Sequence, residues 1–499
     1  MKKLKLLSIL LIILLMTALL PVAALAAEGP EIEARAAIVV DADTGEVYYS
    51  KNAEASVAPA STTKMVTAML VAEAVDRGDI SLRDVVTASD DCQYNMDSDS
   101  THANPAIVPG EEMTVEDLLY CAMLVSANEA CNILAEYVSG SVSAFVSDMN
   151  ARARELGCTG TNFTNANGLE DANHRTTAAD FAILAREALR HPLILQICGT
   201  LSYTVPATNE ADERSLTNTN SLINPDSDYY SEYVYGVKTG YFSGAGYCLV
   251  SAAEKDDIDV ICVVMGSAEA GGNFSDSLAL YDWMFENYEN RAILSTTETL
   301  MPVSVALGTE ATTGVRAETV VSAILPKDYD DSHIQKQAIL YHERDDEALI
   351  APVNAGQVLG EVTVVEVDDD NQVIRTFGSS LLVATSTVEM SRMEYLRSQI
   401  HELFQAPVVR RIITILIILL AVYFLLVFFY TVQRVRHLRS VRRAKRERAG
   451  RRVSEEAEWL EFPATDDDVP RIDYFDDGGA FTDGAGQDDF FESFFDDKH

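Results

Sequence analysis

Positive charge is scarce in this 499-residue chain. It has 38 Lys and Arg residues against 77 Asp and Glu, so its formal net charge is -39. Affinity for nucleic acid comes mainly from basic groups that neutralise phosphates, and a body this acidic repels them. The composition therefore excludes nucleic acid as the expected partner. At 48% apolar residues, the chain still has enough hydrophobic material for two or three domains with their own cores.

Cysteine is also scarce, and its spacing argues against metal and redox motifs. None of the seven cysteines stands in a C-x-x-C pair, and their odd number leaves at least one unpaired. Several lie in apolar runs, where cysteine packs as a small hydrophobe. We expect mostly free core thiols rather than a disulfide framework. No His/Cys/Asp cluster has zinc spacing, so we expect no metal and no cofactor. The cysteines are Cys92, Cys121, Cys131, Cys158, Cys198, Cys248 and Cys262.

Two long apolar runs predict the compartment. Lysines at positions 2, 3 and 5 precede the first run, which ends in a small-residue site at Ala24-Leu25-Ala26; this is typical of a cleavable secretory signal over 1–26. The second run, from Ile412 to Tyr430, predicts a transmembrane helix over 412–432. Ten Lys and Arg residues follow within 434–452, so the positive-inside rule predicts a cytoplasmic C-terminus and a body outside the membrane.

The body between these runs begins with mixed helical and strand patterns. Strand patterns at 36–41 and 46–50 flank a turn with Gly45, and helical patterns follow at 61–74, 115–137 and 177–190. Three short strand patterns then occupy 233–241, 247–253 and 259–265, and a helical pattern closes the region at 276–289. Strands from both ends with helices between them imply one sheet flanked by helices, an α/β domain over 30–292.

The residue composition of the rest of the chain changes three times. Short Val, Thr and Ile runs predict a small all-β domain over 297–388, followed by a helical stalk at 389–411. A basic juxtamembrane segment at 433–452 follows the predicted span. Residues 453–499 alternate acids with aromatics and lack the aliphatic residues of a core, so we expect a disordered tail. A docking segment for a cytoplasmic partner is the alternative.

The first chemical motif is Ser61-Thr62-Thr63-Lys64, which opens an apolar helical pattern. Positions i and i+3 share a helix face, so the Ser61 hydroxyl and the Lys64 amine can meet. A buried lysine near positive charge has a lowered pKa and can act as the base that activates a serine. An S-x-x-K pattern arises by chance in many chains, so alone it does not decide the function.

Two more motifs follow in order, Ser126-Ala127-Asn128 and Lys238-Thr239-Gly240. Ser126 can relay a proton to a leaving amine, and Asn128 can hold Lys64 and a substrate amide. Lys238 adds charge that lowers the Lys64 pKa and attracts a carboxylate, to which Thr239 offers a hydroxyl. Gly240 lets a substrate backbone lie close to the strand. The set S-x-x-K, S-x-N and K-T-G is the signature of class A β-lactamases and penicillin-binding proteins.

With these motifs the sequence resembles a D-alanyl-D-alanine carboxypeptidase, a low-molecular-mass penicillin-binding protein. The resemblance runs from about Glu33 to 390 and includes Asn167-Gly168-Leu169 followed by His174. It implies a β-lactamase/transpeptidase-like domain, then the all-β domain. It also implies removal of the terminal D-alanine from peptidoglycan pentapeptides through an acyl-enzyme on Ser61, with Lys64 as base and β-lactams as inhibitors. The oxyanion hole would be the backbone N–H groups of Ser61 and Tyr241.

Some positions depart from the family pattern. Ala127 replaces a usual glycine, and Asn273 stands where many members carry an arginine for the substrate carboxylate. These departures leave open a catalytically impaired sensor or scaffold with a recruiting tail. A β-lactamase is disfavoured because no Glu-x-x-Leu-Asn element lies between the second and third motifs. We interpret His174 as a residue that fixes a loop rather than a catalytic base. The expected location is the bacterial cell membrane, with the peptidase domain outside.

Overall fold

The computed structural model describes residues 29–96 and 100–456. The predicted signal peptide over 1–26 and most of the acidic tail lie outside the described residues. The described residues fall into two compact units, one ending at Tyr395 and the other beginning at Leu396.

The strands of the first unit form two five-stranded sheets and shorter ladders. In chain order the strands of the described residues are β1 (Ala36–Asp41), β2 (Val47–Lys51), β3 (Val85–Thr87), β4 (Glu112–Thr114), β5 (Ser202–Val205), β6 (Arg214–Thr217), β7 (Val234–Phe242), β8 (Gly246–Lys255), β9 (Ile258–Ser267), β10 (Tyr288–Leu294), β11 (Met301–Ser304), β12 (Thr312–Ala317), β13 (Val321–Pro326), β14 (Ile334–Leu340), β15 (Val358–Val367) and β16 (Val373–Ala384).

Helices lie between β2 and β10 and again after β14. In chain order the α-helices of the described residues are α1 (Thr63–Asp76), α2 (Val115–Leu124), α3 (Asn128–Ser139), α4 (Val142–Glu155), α5 (Ala178–Leu189), α6 (Pro192–Cys198), α7 (Gly272–Asn287), α8 (Tyr341–Arg344), α9 (Arg392–Gln405) and α10 (Pro407–Glu456).

The first sheet has the strand order β2-β1-β9-β8-β7, with antiparallel neighbours. The N-terminal hairpin therefore pairs with the later meander, which confirms the prediction of one sheet assembled from both ends of the domain. The inward side chains of β1 join one core with α1 to α6, and its alternate residues join a second core with α7. Helices thus cover both faces, and β7 forms one edge of the sheet.

Helix α1 is the centre of the larger core. Eleven of its fourteen residues are buried, including both apolar and polar positions. A helix that is buried on all sides has no solvent face, so any ionisable group that it carries is removed from water. This is the environment into which the helix places Lys64.

The prediction of one continuous helix over 115–137 is wrong, because the structure has two helices there. Helix α2 begins after Thr114, whose side chain accepts the N–H of Asp117, and it ends at Leu124. Ser126 then adopts a positive φ of 62°, which a helix cannot continue. Helix α3 starts afresh at Asn128. By contrast, the predicted start of α5 is confirmed, because Thr177 caps it by accepting the N–H of Asp180.

The second sheet has the order β11-β12-β16-β15-β14 and its own hydrophobic core, which contains Val315, Val362 and Leu382. It follows the α/β region in the chain, as the all-β prediction requires. A separate two-stranded ladder pairs β10, which precedes this sheet in the chain, with β13, which lies between β12 and β14. The side chain of Arg375 on β16 also pairs with Glu46 and Glu366.

In the second unit, α10 contains a segment that is long and apolar enough to cross a membrane. The predicted span of 412–432 lies within it. The helix continues beyond the span through the basic residues from Arg434 onwards.

Candidate active site

Ser61 lies in a 3-10 turn, Ala60–Thr62, that leads directly into α1. One turn further on, Lys64 is completely buried. Its Nζ donates to Ser61 Oγ at 2.9 Å and to the backbone oxygen of Asn167 at 2.5 Å. The structure therefore brings together the hydroxyl and the amine that the S-x-x-K spacing predicts.

The second lysine of the predicted site is also buried. Lys238 on β7 is 1% exposed, and its Nζ donates to the backbone oxygen of Thr239 at 3.2 Å. Burial, and after it the positive charge of nearby Lys64, lower the pKa of Lys238 to about 7. Two ammonium groups that interact in this way are coupled, so Lys238 is easier to deprotonate while Lys64 is charged.

The pKa of Lys64 is lowered to about 8, and burial is the main cause. The negative charge of the Cys131 thiolate and of Glu129 would act in the opposite direction, but desolvation outweighs them. A substantial fraction of Lys64 is therefore neutral near pH 8, and a neutral amine can accept a proton from Ser61.

The segment between α2 and α3 supplies the second motif. Ser126 is buried in a left-handed conformation, and within the described part of the chain its hydroxyl has no hydrogen-bond partner. An unsatisfied buried hydroxyl and a positive φ are both unfavourable, and such features occur where a side chain is held for function. Asn128 is the buried first residue of α3. The hydrogen bonds described for the Lys64 amine go to Ser61 and Asn167. The predicted contact between Asn128 and Lys64 therefore stays a prediction.

Strand β7 passes directly against the turn that carries Ser61. A Cβ atom added to Gly240 would lie 2.9 Å from the backbone nitrogens of both Ser61 and Thr62. Only a glycine permits this approach without displacing the turn. The backbone of β7, with Tyr241 next in the chain, is thereby held beside the backbone nitrogen of Ser61, the arrangement that the predicted oxyanion hole requires.

A second glycine fixes the other side of the turn. Gly168 has φ 84°, and a Cβ atom on it would lie 1.9 Å from the backbone oxygen of Ala60. The loop of Asn167 and Gly168 therefore closes on the residue before Ser61 while Asn167 accepts from Lys64. The resemblance singled out this loop, but the motif analysis did not assign it a contact with the base.

The hydrogen bonds described for the His174 ring are with Thr63 and Thr164 rather than with Ser61. Its Nδ1 accepts the N–H of Thr164 at 3.0 Å, so the neutral ring carries its proton on Nε2, which is 2.9 Å from the hydroxyl of Thr63. That hydroxyl in turn donates to the backbone oxygen of Ala60 at 2.8 Å. Burial lowers the His174 pKa to about 4, so the ring is neutral at physiological pH. The interpretation of His174 as a structural residue agrees with these contacts.

Asn273 is not placed as a carboxylate ligand would be. It lies in the first turn of α7, is 3% exposed, and donates to the backbone oxygen of Cys248 at 3.3 Å. All seven cysteines are buried, free thiols, in line with the expectation from the sequence.

Comparisons with known proteins show the family of this chain. A family model described as D-alanyl-D-alanine carboxypeptidase matches residues 23–269. D-alanyl-D-alanine carboxypeptidase DacF of Bacillus subtilis (strain 168) is 33% identical over 333 residues, covering 66% of this chain and 81% of that protein. DacC of Escherichia coli (strain K12), described by the same activity, is 30% identical over 345 residues, covering 67% and 80%.

Solved structures show the same relationship in three dimensions. Penicillin binding protein 5 from Haemophilus influenzae superposes with a TM-score of 0.55 at 28% identity, covering 73% of this chain and 99% of that structure. These findings do not favour the sensor or scaffold alternative. Since DacF is matched at 33% identity over 81% of its length, the chain belongs to the D-alanyl-D-alanine carboxypeptidase family.

Proposed function

We propose that Ser61 is the nucleophile with which this serine-type carboxypeptidase removes the terminal D-alanine of peptidoglycan pentapeptides. The observation that carries the proposal is the 2.9 Å contact between Nζ of the buried Lys64 and Oγ of the half-buried Ser61. The neutral amine of Lys64 accepts the serine proton as Oγ attacks the carbonyl carbon of the penultimate D-alanine. The oxyanion that forms is stabilised by the backbone N–H groups of Ser61 and Tyr241.

Collapse of this intermediate breaks the bond between the carbonyl carbon and the leaving nitrogen. The Ser126 hydroxyl gives its proton to that nitrogen and receives the proton held by Lys64, so D-alanine leaves as a neutral amine and the peptide remains as an ester on Ser61. The buried, unsatisfied hydroxyl of Ser126 supports this role, because a substrate nitrogen would give it the partner it lacks. Water then attacks the ester and regenerates Ser61.

Substrate binding involves residues on both sides of Ser61. The charge of Lys238 and the hydroxyl of Thr239 receive the terminal carboxylate, and Asn128 receives a backbone amide. Gly240 lets β7 lie against the turn that carries Ser61, and the substrate backbone would bind along that strand. Penicillins carry a carboxylate and a strained amide in a similar arrangement, and they acylate the same serine.

The test uses full-length protein in detergent and a pentapeptide ending in D-alanyl-D-alanine. The wild type should release D-alanine and become labelled by a fluorescent penicillin, and Ser61→Ala should do neither. Retained labelling of Ser61→Ala would refute the assignment of the nucleophile. Labelling of the wild type without release of D-alanine would favour a sensor instead.

We also propose the arrangement in the membrane. The signal peptide over 1–26 would export the body, with the peptidase domain at 30–292 and the β domain at 297–388 outside the cell membrane. A stalk at 389–411 would lead to the span at 412–432, followed by the basic segment at 433–452. The acidic segment at 453–499 would then be cytoplasmic and open to a cytoplasmic partner. The apolar segment of α10 and the basic residues after it support this orientation.

A further inference from the structure

The terminal carboxylate of the substrate needs hydrogen-bond donors, and Asn273 does not supply them. Its amide group is buried at the start of α7 and donates to Cys248. A carboxylate that leaves water must recover its hydrogen bonds from the protein, because an unpaired charge is costly in a partly buried cleft. Another polar side chain beside Lys238 and Thr239 is therefore required.

Thr219 meets this requirement by position. Its Oγ1 lies 2.7 Å from Oγ1 of Thr239, the hydroxyl of the K-T-G motif. Thr219 is exposed and follows β6, whereas Thr239 is on β7, so the two hydroxyls come from separate segments. Thr219 belongs to none of the three motifs and lies in the run Thr217-Asn218-Thr219-Asn220.

The two neighbours of Thr219 hold it rigidly. Asn218 is buried, and its side-chain amide donates to the backbone oxygens of Cys198 and Thr200 at 3.1 and 3.0 Å. Its Oδ1 accepts the N–H of Asn220, which is completely buried. Alternate residues of this extended segment thus point inward and anchor it, while the side chain between them stays exposed at the site. A hydroxyl fixed in this way loses little conformational entropy when substrate binds.

The backbone of Thr219 also joins the two walls of the cleft. Its N–H donates to the backbone oxygen of Leu124 at 3.1 Å, at the end of α2 and two residues before Ser126. Its side chain contacts Thr239 on β7. Thr219 therefore lies between the segment that carries the proton relay and the strand that carries the carboxylate-binding charge.

We propose that Thr219 is a substrate-positioning residue whose hydroxyl, paired with that of Thr239, binds the terminal carboxylate of the peptide. The proposal rests on the proposed function, since it adds a residue to the same site. Each hydroxyl has one donor hydrogen, and a carboxylate accepts at both oxygens. On binding, both hydroxyls turn towards the carboxylate and give it two donors above the buried charge of Lys238. This pair of hydroxyls takes the place of the family arginine.

The experiment uses the full-length protein with two peptide substrates. One peptide ends in the free carboxylate of D-alanyl-D-alanine, and the other ends in the corresponding amide. Thr219→Val removes the hydroxyl at nearly constant shape, Thr219→Ser keeps it, and Thr217→Val changes a neighbouring exposed threonine on β6. A hydrogen bond to a charged group predicts a loss of about 10- to 100-fold in kcat/KM for Thr219→Val with the carboxylate peptide, mainly through KM. With the amide peptide its kcat/KM should stay within about twofold of the wild type.

Thr219→Ser should recover most of the loss, and Thr217→Val should behave as the wild type. Equal losses on the two peptides would assign Thr219 a structural role and overturn the proposal, as would no loss on the carboxylate peptide. Failure of the proposed function is distinguishable, because the wild type itself would then release neither D-alanine from the carboxylate peptide nor D-alanine amide from the amide peptide.

Discussion

Lys64 and Lys238 are two buried amines at one site, and their protonation is coupled. Burial is the main cause that lowers their pKa values to about 8 and about 7, and the positive charge of Lys64 also lowers that of Lys238. The two values therefore describe two steps of the pair. Between these steps the pair holds one proton, mostly on Lys64 because its pKa is the higher of the two. The minor form with that proton on Lys238 provides both a neutral base and a positive charge for the carboxylate, and its amount rises and falls with the one-proton state.

This coupling predicts a bell-shaped pH dependence of kcat/KM with flanks near 7 and 8. Below the lower flank both amines are charged, so Lys64 cannot accept the serine proton. Above the upper flank both are neutral, so Lys238 cannot attract the carboxylate. Initial rates on the pentapeptide at low substrate concentration, measured from pH 5 to pH 10, would give the profile.

The control for the pH profile is the peptide amide, which has no terminal carboxylate. Its profile should keep the acidic flank, since Lys64 must still be neutral, and lose most of the fall at alkaline pH. An alkaline fall of the same size on both peptides would contradict the assigned role of Lys238.

At the scale of elements, the break between α2 and α3 shows what the sequence could not reveal. The apolar pattern over 115–137 is continuous in helical periodicity, so local propensity predicts one helix. The left-handed conformation of Ser126 is imposed by tertiary contacts, among them the bond from the Asn128 N–H to the backbone oxygen of Thr101. Such contacts join distant segments and leave no periodic signal.

Ser126→Gly, a substitution at this break, should lower activity without lowering stability. Glycine adopts positive φ without the cost of about 1 kcal/mol that serine pays, and the variant also removes an unsatisfied hydroxyl. Its melting temperature should be at or above that of the wild type, while release of D-alanine should fall by about 100-fold or more because the proton relay is lost.

Asp257→Gly is the matched control, since Asp257 also has a positive φ, of 60°, but lies in the turn between β8 and β9. It should gain stability without loss of activity. A Ser126→Gly variant that melts earlier than the wild type, or that retains full turnover, would show that the break serves packing rather than catalysis.

Much of the site could be predicted from the sequence because its motifs are short and chemically specific. The i to i+3 spacing of Ser61 and Lys64 is sufficient to bring them into contact once the segment is helical. Partners such as the backbone oxygen of Asn167 and the hydroxyl of Thr219 could not be predicted. A backbone oxygen has no residue-specific signature, and a single threonine becomes informative only when the fold places it against Thr239.

At the scale of the whole molecule, one apolar helix and the basic residues after it determine the proposed orientation. If the C-terminus is cytoplasmic, trypsin added to intact spheroplasts should digest the body and leave a protected C-terminal fragment beginning after Arg411. Immunoblotting for a C-terminal epitope would detect this fragment. Permeabilised spheroplasts are the control, in which cleavage after the basic residues beyond Arg434 should remove the epitope. Loss of the epitope from intact spheroplasts, with the body preserved, would reverse the topology.

The most direct test of the account is to locate the covalent adduct that penicillin forms with the full-length protein. Proteolysis and mass spectrometry of the labelled chain should find the added mass on Ser61, with the Lys64 side chain unmodified. An adduct on a different residue, or release of D-alanine by a protein that forms no adduct at Ser61, would contradict the claim that Ser61 is the nucleophile activated by Lys64.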